Sequence, residues 1–232
     1  MAVPKLLDTK RLNETVGGVT YHIEGELVPV LHVELSSVSV YFEHHILLWK
    51  DPAVAIGLKA LKGAFKRVLA GMPVLMTEAK GSGRIAFSRD GTGHVFALHL
   101  KRGQPVDVRE HQFLAATDNV SYNFTRVKGA ANMFLSGTGF FIDQFACESG
   151  TEGVLWLHGY GNVFEVELKA GEQIDVEPGG WIYKDPEVKM ETIFQRLSTG
   201  LFGGACQLCW NRFTGPGRLA LQSMYLHMPT EE

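Results

Sequence analysis

The sequence predicts an all-β protein made of three copies of one structural unit. Its clearest feature is an internal repeat, because the pattern of residues 91–108 recurs 68 positions later at residues 159–176. A weaker copy occupies residues 30–54. The second observation is the alternation of apolar and polar residues in short runs. Glycines separate these runs roughly every 8 to 12 residues, which is typical of β-sandwiches and barrels.

The repeat divides the chain into three tandem units within one body of residues 1–232. The units are expected at residues 17–68, 69–135 and 136–203, and residues 204–228 are expected to complete the first one. We expect a pseudo-threefold axis to relate them, since closing the sheets around an axis removes exposed strand edges.

Strands are predicted wherever apolar and polar residues alternate with a period of two. The predicted strands are residues 25–35, 38–42, 84–87, 94–100, 154–157 and 162–168. The glycines between them are predicted to form hairpin turns, because glycine adopts positive φ without a Cβ clash. These turn glycines are Gly91, Gly93, Gly103, Gly159, Gly161 and Gly171.

Short helical connectors are expected to follow the units, and the first, residues 54–71, has the pattern of an amphipathic helix. Its apolar residues recur at intervals of three and four, namely Leu58, Leu61, Phe65 and Val68. Its basic residues form the predicted interaction surface, namely Lys59, Lys62, Lys66 and Arg67. Such a helix either packs on the sandwich or lies at a membrane interface, and we favour packing over a peripheral membrane contact.

The composition argues against several classes of protein. The chain has 22 Lys and Arg against 25 Asp and Glu, a net charge of −3. It therefore lacks the positive excess that phosphate binding demands, and no nucleic-acid partner is expected. Three cysteines do not make a disulfide framework. Without a signal peptide at the N-terminus or a run of 18 apolar residues, we expect a cytoplasmic protein.

Catalytic, metal-binding and cofactor-binding patterns are not evident in the sequence. None of the nine histidines forms the His-x-His pair that places two imidazoles on one face of a strand. Cys206 and Cys209 have the spacing of a redox motif, but they are expected on a strand, where residues three apart face opposite sides. The chain also lacks a Gly-x-Ser-x-Gly nucleophile turn. We therefore expect no enzyme activity, no metal and no cofactor.

One turn and the apolar runs beside it resemble a known family. The turn consists of Phe213, Thr214, Gly215, Pro216 and Gly217. It is similar to the signature of the altered-inheritance-of-mitochondria protein 24 family, also called domain of unknown function 124. The resemblance implies three units similar to the trp RNA-binding attenuation protein, each a double-stranded β-helix-like sandwich, and no agreed enzymatic activity. Residues 79–83 lack the turn, and residues 145–150 contain an insertion.

These observations together predict a non-catalytic assembly or binding protein that forms a homo-oligomer. Aromatic residues are enriched at interfaces, and the contact residues expected here are Trp49, Trp181, Trp210 and Phe213. Two alternatives stay open. One is a cupin-like enzyme that binds a small ligand or metal in the sandwich cavity, and the other is a scaffold at the membrane surface.

Overall fold

All regular structure in the computed structural model is β, over the residues that it describes: 2–8, 13–62, 74–126, 141–150, 152–194 and 209–224. The first seven strands are β1 (Lys5–Leu6), β2 (Glu14–Val16), β3 (Val19–Glu24), β4 (Val30–Phe42), β5 (Leu47–Lys50), β6 (Ala55–Ala60) and β7 (Leu75–Ser88). The next six are β8 (Gly93–Lys101), β9 (Val106–Val108), β10 (Phe113–Thr117), β11 (Val120–Arg126), β12 (Phe141–Cys147) and β13 (Glu152–Tyr160). The last six are β14 (Val163–Leu168), β15 (Gln173–Val176), β16 (Trp181–Lys184), β17 (Lys189–Phe194), β18 (Cys209–Thr214) and β19 (Gly217–Gln222).

These strands form three antiparallel sheets, which confirms the predicted all-β class. The first sheet has the order β1-β14-β19-β16-β9-β12-β11. The second has the order β2-β3-β4-β10-β13-β8, and it also contains β7, which pairs with β4, β5 and β6. The third consists of β15-β18-β17. Strands distant in sequence therefore lie side by side in the two large sheets.

Three clusters of buried apolar side chains hold the sheets together. Trp156 lies in one cluster, Phe145 in another, and Trp181 packs on Phe213 in the third, with 5.8 Å between ring centroids. Aromatic side chains of this size each bury roughly 150–250 Å² and dominate such cores. Trp181 and Phe213 are fully buried, so the prediction that they form exposed contacts is wrong.

The predicted helical connectors are also wrong wherever the structure describes them. Residues 55–60 form β6, which pairs with β7 from Ala55 opposite Lys80 to Ala60 opposite Leu75. Strand pairing satisfies the backbone groups of this segment, and tertiary context of this kind overrides weak helix propensity. The two later connectors begin as β11 and β17. The rest of residues 54–71, from residue 63 onward, lies outside the described residues.

The predicted glycine hairpins instead join strands that do not pair with each other. β7 and β8, β8 and β9, β13 and β14, and β14 and β15 are not neighbours in any described sheet. Gly103, Gly161 and Gly171 adopt positive φ, whereas Gly91, Gly93 and Gly159 do not. The turns at Gly103, at Gly159 and Gly161, and at Gly171 carry the chain from one sheet to another, whereas the turn at Gly91 and Gly93 joins two strands of the same sheet.

Residues 209–222 were expected to help complete the first repeat, and their strand pairing contradicts this. β18 pairs with β15 and β17, and β19 pairs with β14 and β16. Their strand neighbours therefore all lie between residues 163 and 194.

Several local features recur at matched positions along the chain. Register shifts occur between Leu47 and Trp49, between Phe113 and Ala115, and between Trp181 and Tyr183. Positive φ recurs at three matched positions, Ser37 (56°), Gly103 (78°) and Gly171 (77°). In β4 the strand continues through Ser37, whereas the chain breaks into two strands at Gly103 and Gly171. The same backbone bend thus lies within one long strand at Ser37 and between two consecutive strands at Gly103 and at Gly171.

Candidate functional site

An Asp–Arg clamp occurs twice, next to strands β5 and β16. Oδ2 of Asp51 accepts from the backbone and side chain of Arg84, at 2.9 and 3.2 Å. Asp185 makes the same contacts to Arg218, at 2.8 and 3.2 Å. At the matched position between β10 and β13, Oγ1 of Thr117 accepts from a backbone amide at 3.0 Å. A side-chain oxygen therefore accepts a hydrogen bond from a backbone amide of the neighbouring strand in each case.

Each clamp arginine also lies over an aromatic ring. The guanidinium carbon of Arg84 is 6.0 Å from the Trp49 ring centroid, and that of Arg218 is 5.9 Å from the Tyr183 ring centroid. Cation–π attraction acts at this distance. The side-chain hydrogen bond from Arg84 holds the pKa of Asp51 below its ordinary value, so the clamp is ionised at neutral pH.

A buried ion pair links the neighbouring strands β9 and β16. Nζ of Lys184 donates to Oδ2 of Asp107 at 2.7 Å, and both side chains are buried. Oδ1 of Asp107 accepts from Nε2 of Gln144 at 2.9 Å. Lys184 lies opposite Asp107 in the strand register. Both carboxylate oxygens thus have partners, which a buried carboxylate requires.

A second contact of the same geometry is apolar. Strand β10 pairs with the C-terminal half of β4, where Ala115 lies opposite Phe42 and Ala116 opposite Tyr41. All four residues are buried. In this contact, Ala116 occupies the position of Lys184, and Tyr41 occupies the position of Asp107.

Strands β5 and β15 are the matched strands of a third contact, but among the described residues they are not paired with each other. β5 pairs only with β7, and β15 pairs only with β18. By the same register, Lys50 of β5 matches Lys184, and Asp175 of β15 matches Asp107. The pair of Lys50 and Asp175 therefore has the same residue types as the pair of Lys184 and Asp107.

Lys50 and Asp175 already have the local contacts of their counterparts. Nζ of Lys50 donates to the backbone oxygen of Asp51 at 3.4 Å, as Nζ of Lys184 does to that of Asp185 at 3.5 Å. The Asp175 carboxylate accepts from Nε and Nη2 of Arg212 at 2.7 and 2.8 Å. This hydrogen bond from Arg212 lowers the pKa of Asp175. The two strands therefore present ionised side chains along unpaired edges.

The predicted basic surface is divided between paired and undescribed residues. Lys59 forms an ion pair with Asp118 and lies over the Tyr41 ring, 4.6 Å from its centroid. Lys62 forms an ion pair with Glu148. Lys66 and Arg67 lie outside the described residues. Both described lysines therefore contact other parts of the same chain.

The turn signature resembling the family lies between β18 and β19. A Cβ on Gly215 would lie 2.5 Å from the backbone oxygen of Lys169, and one on Gly217 would lie 2.9 Å from the Val188 side chain. Gly217 also has a φ of 131°. The turn consequently needs glycine for close packing. Phe213, the first residue of the turn, is buried. Residues 136–140 and 201–208, which include Cys206, lie outside the described residues.

His158 lies in a different environment from His22 and His32. His158 is fully buried, and this burial lowers its pKa to about 4. His22 and His32, in contrast, lie with Glu24 on the hairpin of β3 and β4, where their ligand atoms are within 4.8 Å of one another. No His-x-His pair marks this group. The sequence contains a His-x-Glu pair at residues 22–24 and a second histidine ten residues after His22, but no strand was predicted at residues 19–24, so the hairpin that brings them together was missed.

Fold and contacts define an all-β protein with sandwich-like sheets linked by ion pairs and apolar strand contacts. The family described as mitochondrial biogenesis AIM24 matches residues 21–224, and the chain belongs to this family. The fold is similar to the crystal structure of a Streptococcus pyogenes protein determined as a structural-genomics target, with a TM-score of 0.68 and 18% identity. That match covers 89% of this chain and 94% of the other. A search of curated proteins gives no match.

Proposed function

We propose that this protein is a non-catalytic assembly protein whose copies join through strands β5 and β15. The proposal rests on two strands that are not paired with each other among the described residues. Lys50 lies on β5, and Asp175 lies on β15. Exposed strand edges readily pair with another chain. The family description, mitochondrial biogenesis, is compatible with an assembly role but names no partner.

The buried contact between β9 and β16 supplies the template for this interface. In the same register, Lys50 of one copy lies opposite Asp175 of the next, and Trp49 lies opposite Val176. Trp49 is 39% exposed, while its counterpart Tyr183 is buried. Pairing therefore covers an exposed aromatic ring and brings Lys50 to the ion pair that Asp175 already forms with Arg212.

The same proposal includes three related units, now at residues 19–88, 93–160 and 163–222. The matched register shifts, clamps and positive-φ positions support this division. Two contacts between units lie within the chain, and the third is left for a second copy. The two edges differ, so the interface is head-to-tail and generates either a ring or an open chain of copies.

Light scattering after gel filtration at micromolar concentration tests the proposal. The wild type is expected to have a mass above that of the 25.6 kDa monomer. The variant Lys50→Asp is expected to be monomeric, because like charges then face each other at the interface. The double variant with Lys50→Asp and Asp175→Lys restores opposite charges and the oligomer.

A mixing experiment provides the control. Equal amounts of the single variants Lys50→Asp and Asp175→Lys carry complementary edges, so they are expected to assemble together but not alone. A monomeric wild type at all concentrations would contradict the proposal and would support closure of β5 onto β15 within one chain. An unchanged mass for both single variants would place the interface elsewhere.

The contacts of the predicted basic surface do not favour the membrane-surface alternative. Lys59 and Lys62 contact acidic side chains of the same chain, which gives no specific support to a basic membrane-facing surface. Within the described residues, no helix is long and apolar enough to cross a membrane. A cytoplasmic location stays a prediction.

A further inference from the structure

We propose that His22, Glu24 and His32 bind one divalent transition-metal ion on the β3–β4 hairpin, with Zn²⁺ as the reference ion. His22 lies directly opposite His32 in the antiparallel register. Glu24 follows His22 by two residues and therefore lies on the same face of the hairpin. Two neighbouring strands thus bring two imidazoles and one carboxylate together.

The side chains are already close to a ligating arrangement. One ligand atom from each residue lies within 4.8 Å of the others. The two imidazole rings stack with 4.5 Å between centroids and an interplanar angle of 7°. Bonds of about 2.0–2.2 Å to a shared ion require one of the stacked imidazoles to turn, because parallel rings direct their nitrogen lone pairs along parallel planes, and they require movement of the exposed Glu24 side chain.

One ring nitrogen lacks a satisfied partner. Nε2 of His32 is buried and lies 3.0 Å from Oε1 of Glu24, but these atoms are not aligned as a hydrogen bond. Among the described residues no other group bonds this nitrogen. A buried polar atom without a partner is costly, and a metal ion shared with the carboxylate would satisfy it.

The donor set indicates the class of ion. Two imidazoles with one carboxylate suit Zn²⁺ and similar first-row ions, whereas Mg²⁺ and Ca²⁺ prefer oxygen ligands. His22 and His32 line a cleft of about 340 Å³, together with Thr20, Trp49 and Arg84. The cleft leaves room for a water molecule or another small ligand at a fourth coordination position.

This proposal is independent of the proposed assembly, because none of the three ligands lies on β5 or β15. Trp49 of β5 nevertheless lies 5.8 Å from the His32 ring. Metal binding should therefore change Trp49 fluorescence in the monomeric variant Lys50→Asp as well as in the wild type.

Isothermal titration with ZnCl₂ in a non-chelating buffer tests the site. One equivalent is expected to bind the wild type and to raise its melting temperature. His22→Ala, His32→Ala and Glu24→Gln should each weaken binding by at least about tenfold, since even loss of an outer-shell partner costs that much. Circular dichroism confirms that the variants are folded.

His44→Ala is the matched control. His44 and His45 are also neighbouring exposed histidines, with 4.9 Å between their ring centroids, but they lie outside the hairpin group. Binding by this variant should be unchanged. The proposal is wrong if the wild type binds no Zn²⁺, if the three ligand variants bind as tightly as the wild type, or if His44→Ala removes the binding.

Discussion

Lys184 and Asp107 form a buried ion pair that links β16 to β9, and Lys50 and Asp175 hold the matched positions on two strands that are not paired. The same two residue types thus face each other across one strand contact, whereas in the other case Asp175 forms an ion pair with Arg212 instead. This relationship leads to the first prediction.

Lys184→Met should destabilise the fold by about 3–5 kcal/mol, because it leaves the Asp107 carboxylate buried without its counter-charge. Urea unfolding at submicromolar protein concentration measures the effect. Lys50→Met is the matched control, and its cost should stay below about 1 kcal/mol, since Nζ of Lys50 makes a long hydrogen bond to a backbone oxygen rather than a buried ion pair. Equal losses in the two variants would show that the buried pair is not special.

Thr117→Val should cost about 1–3 kcal/mol of unfolding free energy. Oγ1 of Thr117 accepts from the buried amide of Val154 at 3.0 Å, and valine has the same shape without the acceptor. Thr117→Ser keeps the hydroxyl and should retain most of the stability. If both variants lose the same amount, the effect comes from packing of the methyl group.

Stability should decrease as the pH falls from about 6.5 to 4, because His158 is held neutral in the fold. Its pKa is about 4 in the folded protein and 6.5 in its ordinary state, so the unfolded chain binds the proton first on acidification. The free energy of unfolding decreases by on the order of 3 kcal/mol over this range, and the decrease is complete below pH 4. Above pH 6.5 neither state is protonated, so this residue adds no pH dependence there.

The variant His158→Gln should flatten this part of the pH profile, measured by urea unfolding at pH 7, 5.5 and 4. His45→Gln, which changes an exposed imidazole, should leave the slope as it is in the wild type. An unchanged slope in His158→Gln would assign the dependence to other groups. Asp51 and Asp175 contribute to the loss at still lower pH, because their depressed pKa values favour the fold above their ordinary titration range.

Gly93→Ala should be destabilising by about 1–3 kcal/mol, the range for overpacked sites. The added Cβ would lie 2.0 Å from the backbone oxygen of Gly159 and 2.9 Å from Nε2 of His158. Gly57→Ala is the control, since no atom lies within 4 Å of its added Cβ and its φ is not positive. Thermal melts of both variants check this, and a tolerated Gly93→Ala would mean that β8 and β13 separate easily at this end.

Period-two alternation correctly located parts of β4, β7, β8, β13 and β14, since side chains that point alternately inward and outward leave a local pattern. The repeat of residues 91–108 at 159–176 likewise marked segments with matched bends at Gly103 and Gly171. The residues 54–71 illustrate where such patterns fail. Their spacing of three and four predicts a helix, but β7 offers a free edge with which residues 55–60 pair.

The amino-acid sequence by itself determined the all-β class, the strand-forming segments and the glycine positions that permit bends, because each depends on residues near one another in the chain. Only the tertiary structure decided which strands are neighbours, which charges are buried and which histidines meet. Lys184 and Asp107 are far apart in sequence, and so are Lys50 and Asp175. The pairing of Lys184 with Asp107 depends on strand order and register, which arise from packing of the whole chain and leave no local periodicity to read.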